Sequence, residues 1–317
     1  MIKSGLMAKL FGERHDILNE LSLNQLRTLA EQTADSLNDL SFPSASLPQN
    51  ISRGIHPRRQ AGSGDNFWQY RPYSTGDDAK NIDWRRSARS DQHFVKEHEW
   101  QTSQHAWIWC DGSPSMHWRS EDHILSKYDH ARLLTIASAR LLEKSGERLG
   151  MLGLHDRTRE GIYAYERLIE GLQKTDHQQH LPDARIPQRG AQIFIFSDFL
   201  MADLNTLKQW MVNMNRQGVR GHLIHIIDPA EATLPGRGRT RFQGLEGEGT
   251  HTIARVEDQT ADYEYAIQTY WNNLKTYAKS CHWSLTRSYS HQPATETLSH
   301  LLQLSDAAQA SKRGAMV

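Results

Sequence analysis

The chain has 317 residues, enough for one large or two ordinary domains, with 37 Lys and Arg balanced by 37 Asp and Glu. Zero formal charge gives no global field for nucleic acid or an anionic membrane, and two cysteines give no disulfide framework. The opening residues lack the apolar core of a signal peptide, and no stretch approaches the roughly 20 apolar residues of a membrane span, so a cytoplasmic protein with no membrane insertion is expected.

Residues 1–50 read as N-terminal helices and a linker. Leu18, Leu21, Leu26, Leu29, Leu37 and Leu40 recur at helical spacing, and Ser41–Asn50 is rich in Ser and Pro. Residues 51–104 form a smaller, β-rich segment with long loops, with alternation over Phe94–Trp100. From 105 to 305 strands and helices alternate. Strands are predicted at Ala106–Cys110, Leu149–Leu154, Gln192–Ser197, Gly221–Ile227 and His282–Arg287. Helices are predicted at Tyr128–Ser145, Ile162–Gln173, Leu204–Arg216, Tyr263–Lys279 and Glu296–Leu304. The Gly-rich stretch Pro235–Gly249 reads as turns before Thr250–Val256, and 306–317 as a tail. Alternating strands and helices predict an α/β fold, a doubly wound, mostly parallel sheet with helices on both faces. QIFIFS, Gln192–Ser197, is apolar enough to be buried on both sides.

In such sheets ligands sit outside the carboxyl ends of the strands. Asp111 follows the strand WIWC and Asp198 follows QIFIFS, so neighbouring strands would bring both carboxylates to one edge. Ser113 and Ser115, two apart in an extended loop, can direct their hydroxyls the same way. Asp111, Ser113, Ser115 and Asp198 are all hard oxygen donors, suited to Mg²⁺, with Mn²⁺ or Ca²⁺ as variants. The alternative is that Asp111 and the serines serve the loop through bonds to backbone N–H groups.

The segment DGSPS resembles the DxSxS metal-ion-dependent adhesion motif of von Willebrand factor A domains. Gly62 to Gln101, with Gly76-Asp77-Asp78, Ile82-Asp83-Trp84 and Ser87-Ala88-Arg89, is similar to the hallmark segment of the bacterial family called domain of unknown function 58. The pairing of IFIFSDFL with HLIHIIDPAEATLPGRG adds to that likeness. The resemblance implies a von Willebrand A-like domain behind a small β-rich segment, and a MoxR-type AAA+ ATPase as partner. It also implies a threonine ligand after the second helix-and-strand unit, where Thr158 or Asp156 is available.

The remaining constellations read as structural. Gly62-Ser63-Gly64 lacks the Lys and Ser/Thr of a phosphate loop. Asp77, Asp78 and Asp83 with Arg85, Arg86 and Arg89 read as an internal ion-pair network. The window Arg53–Lys96 holds nine Lys and Arg against five acids. That excess and Phe67, Trp68, Tyr70 and Tyr73 fit core aromatics better than a base-stacking surface, so no nucleic-acid partner is expected. His177 and His180 beside Asp176 read as solvated. His222 and His225 face opposite sides of a strand and cannot chelate together. Cys110 reads as a buried strand residue.

The expected function is that of a non-enzymatic adaptor, assisting the ATPase in assembly or maturation of a client complex. A partner's carboxylate would complete a Mg²⁺ site held by Asp111, Ser113, Ser115 and Asp198. The alternatives are a metal-assisted phosphoester hydrolase, disfavoured by the lack of a placed base or GxSxG elbow, and a scaffold with a vestigial metal site.

Overall fold

A computed structural model describes residues 20–39, 61–73, 82–88, 92–99, 105–174, 181–182, 187–200, 203–243 and 249–303, without the side chains of 38–39, 61–71 and 96–99. Asp77, Asp78, Arg89, Asp176, His177 and His180 lie outside these residues, as does the linker Ser41–Asn50.

Helix α1, Leu23–Asp39, buries Leu26, Ala30, Ala34 and Leu37, a stripe at helical spacing. Strand β1, Ala61–Pro72, pairs antiparallel with β2, Phe94–Glu99, as a separate two-stranded ribbon. Gly62 is a ribbon residue opposite His98. Between the two strands Asp83 caps the single helical turn Trp84–Ser87 through the Arg86 N–H, and the Arg86 guanidinium lies 5.3 Å from the centre of the Phe94 ring.

The body is one five-stranded sheet. Its strands are β3 His105–Cys110, β4 Arg148–Met151, β5 Gln192–Ser197, β6 Arg220–Ile227 and β9 Ser284–Tyr289, in the order β4-β3-β5-β6-β9 with every neighbouring pair parallel. From β3 the chain steps outward to β4, while β5, β6 and β9 follow on the other side. The order therefore reverses between β3 and β5, which puts the topological switch point there.

Helices cover both faces. On one, α2 (Lys127–Lys144), α3 (Ile162–Leu172) and α6 (294–303) share a core with α1, Ile108, Phe194, Phe196 and Ile224. On the other, α4 (Leu204–Arg216) and α5 (Thr260–Ser280) share a core with Trp107, Ile193, Ile195, Leu223 and Trp283. Helix α2 is buried nearly all round because α1 covers the side that the sheet does not. Gly146 stops it with φ 75°, a conformation that glycine takes without steric cost.

After β4 the chain turns back, and Arg159 pairs antiparallel with Leu149 through bonds of 2.6 and 2.8 Å. This reversal lets α3 return on the same face as α2. Within the Gly-rich stretch one strand was not expected: β7, Thr240–Gln243, pairs antiparallel with β8, Thr250–Ile253, which lies in the expected Thr250–Val256, and the pair buries Phe242 and Ile253 against α5. Among the described residues no helix is long and apolar enough to cross a membrane.

Candidate functional site at the switch point

The carboxyl ends of β3, β5 and β6 lie side by side and deliver Asp111, Asp198 and Asp228 to one edge. The Asp111 N–H continues the ladder, donating to the Phe196 carbonyl at 2.9 Å. Asp111 Oδ1 accepts from the Ser113 N–H at 2.8 Å, and Oδ2 from the Ser197 hydroxyl at 2.5 Å. The loop then enters a 3₁₀ turn, Pro114–His117, where Ser115 Oγ comes within 3.2 Å of Ser113 Oγ. Ser115 donates onward to Asp198 Oδ2 at 2.8 Å, a contact spanning 83 residues. The four side chains expected to meet therefore do meet.

The loop after β5 is strained into place. Phe199 has φ 56°, uncommon for a residue with a Cβ. Three bonds hold it: its N–H to Ser197 Oγ, its carbonyl to the Tyr270 hydroxyl at 2.7 Å, and the following Leu200 N–H to Asp198 Oδ1. These aim Asp198 Oδ2 back at the serines.

Two further groups complete the cluster. Lys127 Nζ donates to Asp198 Oδ2 at 2.8 Å and also contacts Glu231 Oε1. Glu231 lies in the short turn Pro229–Ala232 after β6, where Oε2 accepts from the Asp228 N–H and Asp228 caps the turn in return. Asp228 Oδ2 accepts from the Ser120 N–H at 2.9 Å, so the loops after β3 and β6 are joined twice.

Two carboxylates, Asp198 and Glu231, thus share one ammonium, with Asp111 beside Asp198, and the acidities record that arrangement. Burial, then the charge of Asp198, pushes Asp111 up to about 7. Burial alone would raise Asp198 too, but the Lys127 ammonium overrides it and holds this carboxyl below its usual range. Glu231 is pushed up to about 7 by burial, only partly offset by Lys127. Lys127 itself is held above its usual range because the two carboxylates outweigh its own burial. Burial is the largest cause at both raised carboxyls, so Asp111 and Glu231 take up protons near neutral pH while Asp198 and Lys127 keep their charges.

A hard cation fits the donor chemistry. Mg²⁺ takes oxygen ligands, and Ser113, Ser115, Asp198 and Asp111 offer only oxygen, with Ser113 and Ser115 Oγ 3.2 Å apart and Ser115 Oγ hydrogen-bonded to Asp198 at 2.8 Å. Among the described residues no group of three or more His, Cys, Asp and Glu side chains could hold a metal. A cation here would therefore depend on the two hydroxyls.

Two expectations need correction. Thr158 does not approach the cluster. It bonds His105 Nδ1 at the amino end of β3, the opposite end of the strand from Asp111, and Asp156 is exposed in the turn after β4. The cluster is also closed: Asp111, Ser113, Ser115 and Asp198 are 1, 0, 6 and 1 % exposed, so an external carboxylate reaches them only if a loop moves.

His222 and His225 do face opposite ways. The first stacks on Phe194 and the second lies among Phe199, Tyr270 and Trp271. Burial pushes His225 down to about 3 and Cys110 up to about 12, so both rest neutral. The sequence reading missed Lys127, Ser197, Asp228 and Glu231. For the last two a signal existed, since DPAE follows a predicted strand at its carboxyl end.

Fold and site together define a parallel α/β protein with a buried cluster of oxygens and one ammonium at its switch point. A protein-family model described as protein of unknown function DUF58 matches residues 69–271, and the chain belongs to that family. No curated protein and no solved structure matches it.

Proposed function

We propose that the protein is a non-enzymatic adaptor whose partner docks at the carboxyl edge of the sheet. The observation that carries this reading is the meeting of Asp111, Ser113, Ser115 and Asp198 at the switch point. The strand order and that meeting support a von Willebrand A-like fold, and the resemblance of DGSPS and the Gly62–Gln101 segment supports a MoxR-type AAA+ ATPase as partner, in assembly or maturation of a client.

Mg²⁺ would be held by Ser113, Ser115, Asp198 and Asp111, and would supply the positive charge that Asp111 lacks. The chain's own part is to orient these oxygens and to hold three loops in register. The outer side of those loops is what a partner meets first, including Glu121, Asp122 and His123, whose side chains are 61, 90 and 76 % exposed. Because the cluster is closed, docking reads the loops that it shapes, and direct coordination by a partner needs a loop to open.

Hydrolysis finds less support. His225 is sealed in the core and bonded to the Asp198 backbone, and His117 is held by Glu20. The closed cluster favours a second reading, a scaffold whose cation site is vestigial.

Co-purification of a MoxR-type ATPase with wild type and with Asp111→Ala, each checked for folding by circular dichroism, tests the proposal. The expected result is capture by wild type and its loss in the variant. Equal capture by both, or none by wild type, contradicts it. Capture that is lost without any Mg²⁺ binding by wild type selects the scaffold reading.

A further inference from the structure

Lys127 stands where a lysine is hard to justify on local grounds. It is the first residue of α2, after the Ser126 cap, and is 1 % exposed. The amino end of a helix carries partial positive charge, so an ammonium there is opposed by the helix itself and by its own desolvation. What holds it is remote in sequence: Asp198, 71 residues on, and Glu231, 104 residues on. The ammonium therefore ties the loops after β3, β5 and β6 to one point.

Asp198 Oδ2 is the decisive atom. It takes the Ser115 hydroxyl and the Lys127 ammonium, each at 2.8 Å, while Oδ1 is occupied by the Leu200 N–H. A cation ligated by the serines would claim that same oxygen and would sit beside a like charge.

We propose that Lys127 is a resident counter-ion: its ammonium holds Asp198 and Glu231 in the role a divalent cation would otherwise fill, so the loops keep their shape without metal, and a cation enters only by competing for Asp198 Oδ2. The inference rests on the reading of this cluster as a cation site, and it is independent of which partner docks there. It gives Lys127 and Glu231 a part that DGSPS alone does not suggest. Lys127 sets how weakly the site holds Mg²⁺, and Glu231 keeps the ammonium in place when the ion is absent.

The test compares wild type, Lys127→Met and the charge-matched double variant Lys127→Met with Glu231→Gln. Thermal unfolding is followed in EDTA and in Mg²⁺, with Mg²⁺ and Mn²⁺ titrated by calorimetry. EDTA should leave the wild-type midpoint unchanged. Lys127→Met should melt lower in EDTA and recover with Mg²⁺. Both variants should bind Mg²⁺ at least about tenfold more tightly than wild type, since a like charge a few ångströms away has been removed. If the single variant does not fold in EDTA, the double variant carries the same comparison, with one charge of each sign removed. A wild-type midpoint that falls in EDTA, or variants that bind Mg²⁺ no more tightly than a binding wild type, overturns the role of Lys127 and leaves the cation site standing. Absence of binding in all three proteins overturns both.

Discussion

Two buried polar groups hang from the first turn of the same helix and behave in opposite ways. Lys127 reaches into a cluster of carboxylates. His130, three residues on, enters a neutral network, where Nε2 lies 2.8 Å from Ser288 Oγ, which lies 2.7 Å from Thr297 Oγ1. Burial pushes His130 down to about 4, with His291 adding to the effect, so the ring is neutral and the network asks only for hydrogen-bond partners. Around Lys127, partners are not enough. Charge must answer charge, and one ammonium meets two buried carboxylates with a third, Asp111, beside them. A neutral network of this kind staples α2 to β9 and α6. A charged, unbalanced one at the switch point is costly to keep as mere structure, and that cost is the reason to read it as functional.

The largest expected effect breaks the charged side of this comparison. Lys127→Met leaves Asp198 and Glu231 buried without their cation and should destabilise the protein by about 3–5 kcal/mol in metal-free denaturant unfolding. A loss under about 1 kcal/mol would erase the difference between the two sites.

The neutral side is tested by acid. His130 has a folded pKa of about 4 against an ordinary 6.5, so the unfolded chain takes up the proton first as pH falls. Its contribution is present above about pH 6.5 and is lost down to about pH 4, up to about 3 kcal/mol. His130→Asn should flatten this part of the stability profile relative to wild type. An unchanged slope would mean that the ring is not held neutral.

The smallest effect sharpens the role of burial. Arg27 makes a two-pronged pair with Glu166, at 2.9 and 2.5 Å, between α1 and α3, but both side chains are more than a third exposed. Arg27→Gln should cost less than about 1 kcal/mol by the same unfolding measurement, although its geometry matches that of a strong ion pair. A cost equal to that of Lys127→Met would show that ion-pair chemistry, rather than burial, sets the scale.

Much of this architecture was legible in local pattern. The apolar runs at β3, β5 and β6 mark strands buried on both faces, and their carboxyl ends point to Asp111 and Asp198. Helices α3 and α4 fall where periodicity places them, to within a residue. Periodicity gave α2 one apolar face, yet nearly all of it is buried, because the covering helix α1 is about 100 residues earlier in the chain. Strand β7 and its pairing with β8 were illegible as well: β7 is four residues long, lies among glycines and gains its hold from α5. Thr158 was available only as the threonine that the resemblance implies, and it sits at the amino end of β3 because the chain reverses after β4. Lys127 and Glu231 escaped for a related reason, since each makes sense only opposite a partner brought by another strand.

The most direct measurement is a calorimetric titration of Mg²⁺ and Mn²⁺ into wild type and Asp111→Asn. Asparagine keeps the shape of Asp111 and removes its carboxylate. The account predicts weak, saturable binding to wild type that disappears in the variant. Binding of equal strength to both proteins, or none to wild type and none to Lys127→Met either, would contradict a cation site at the switch point.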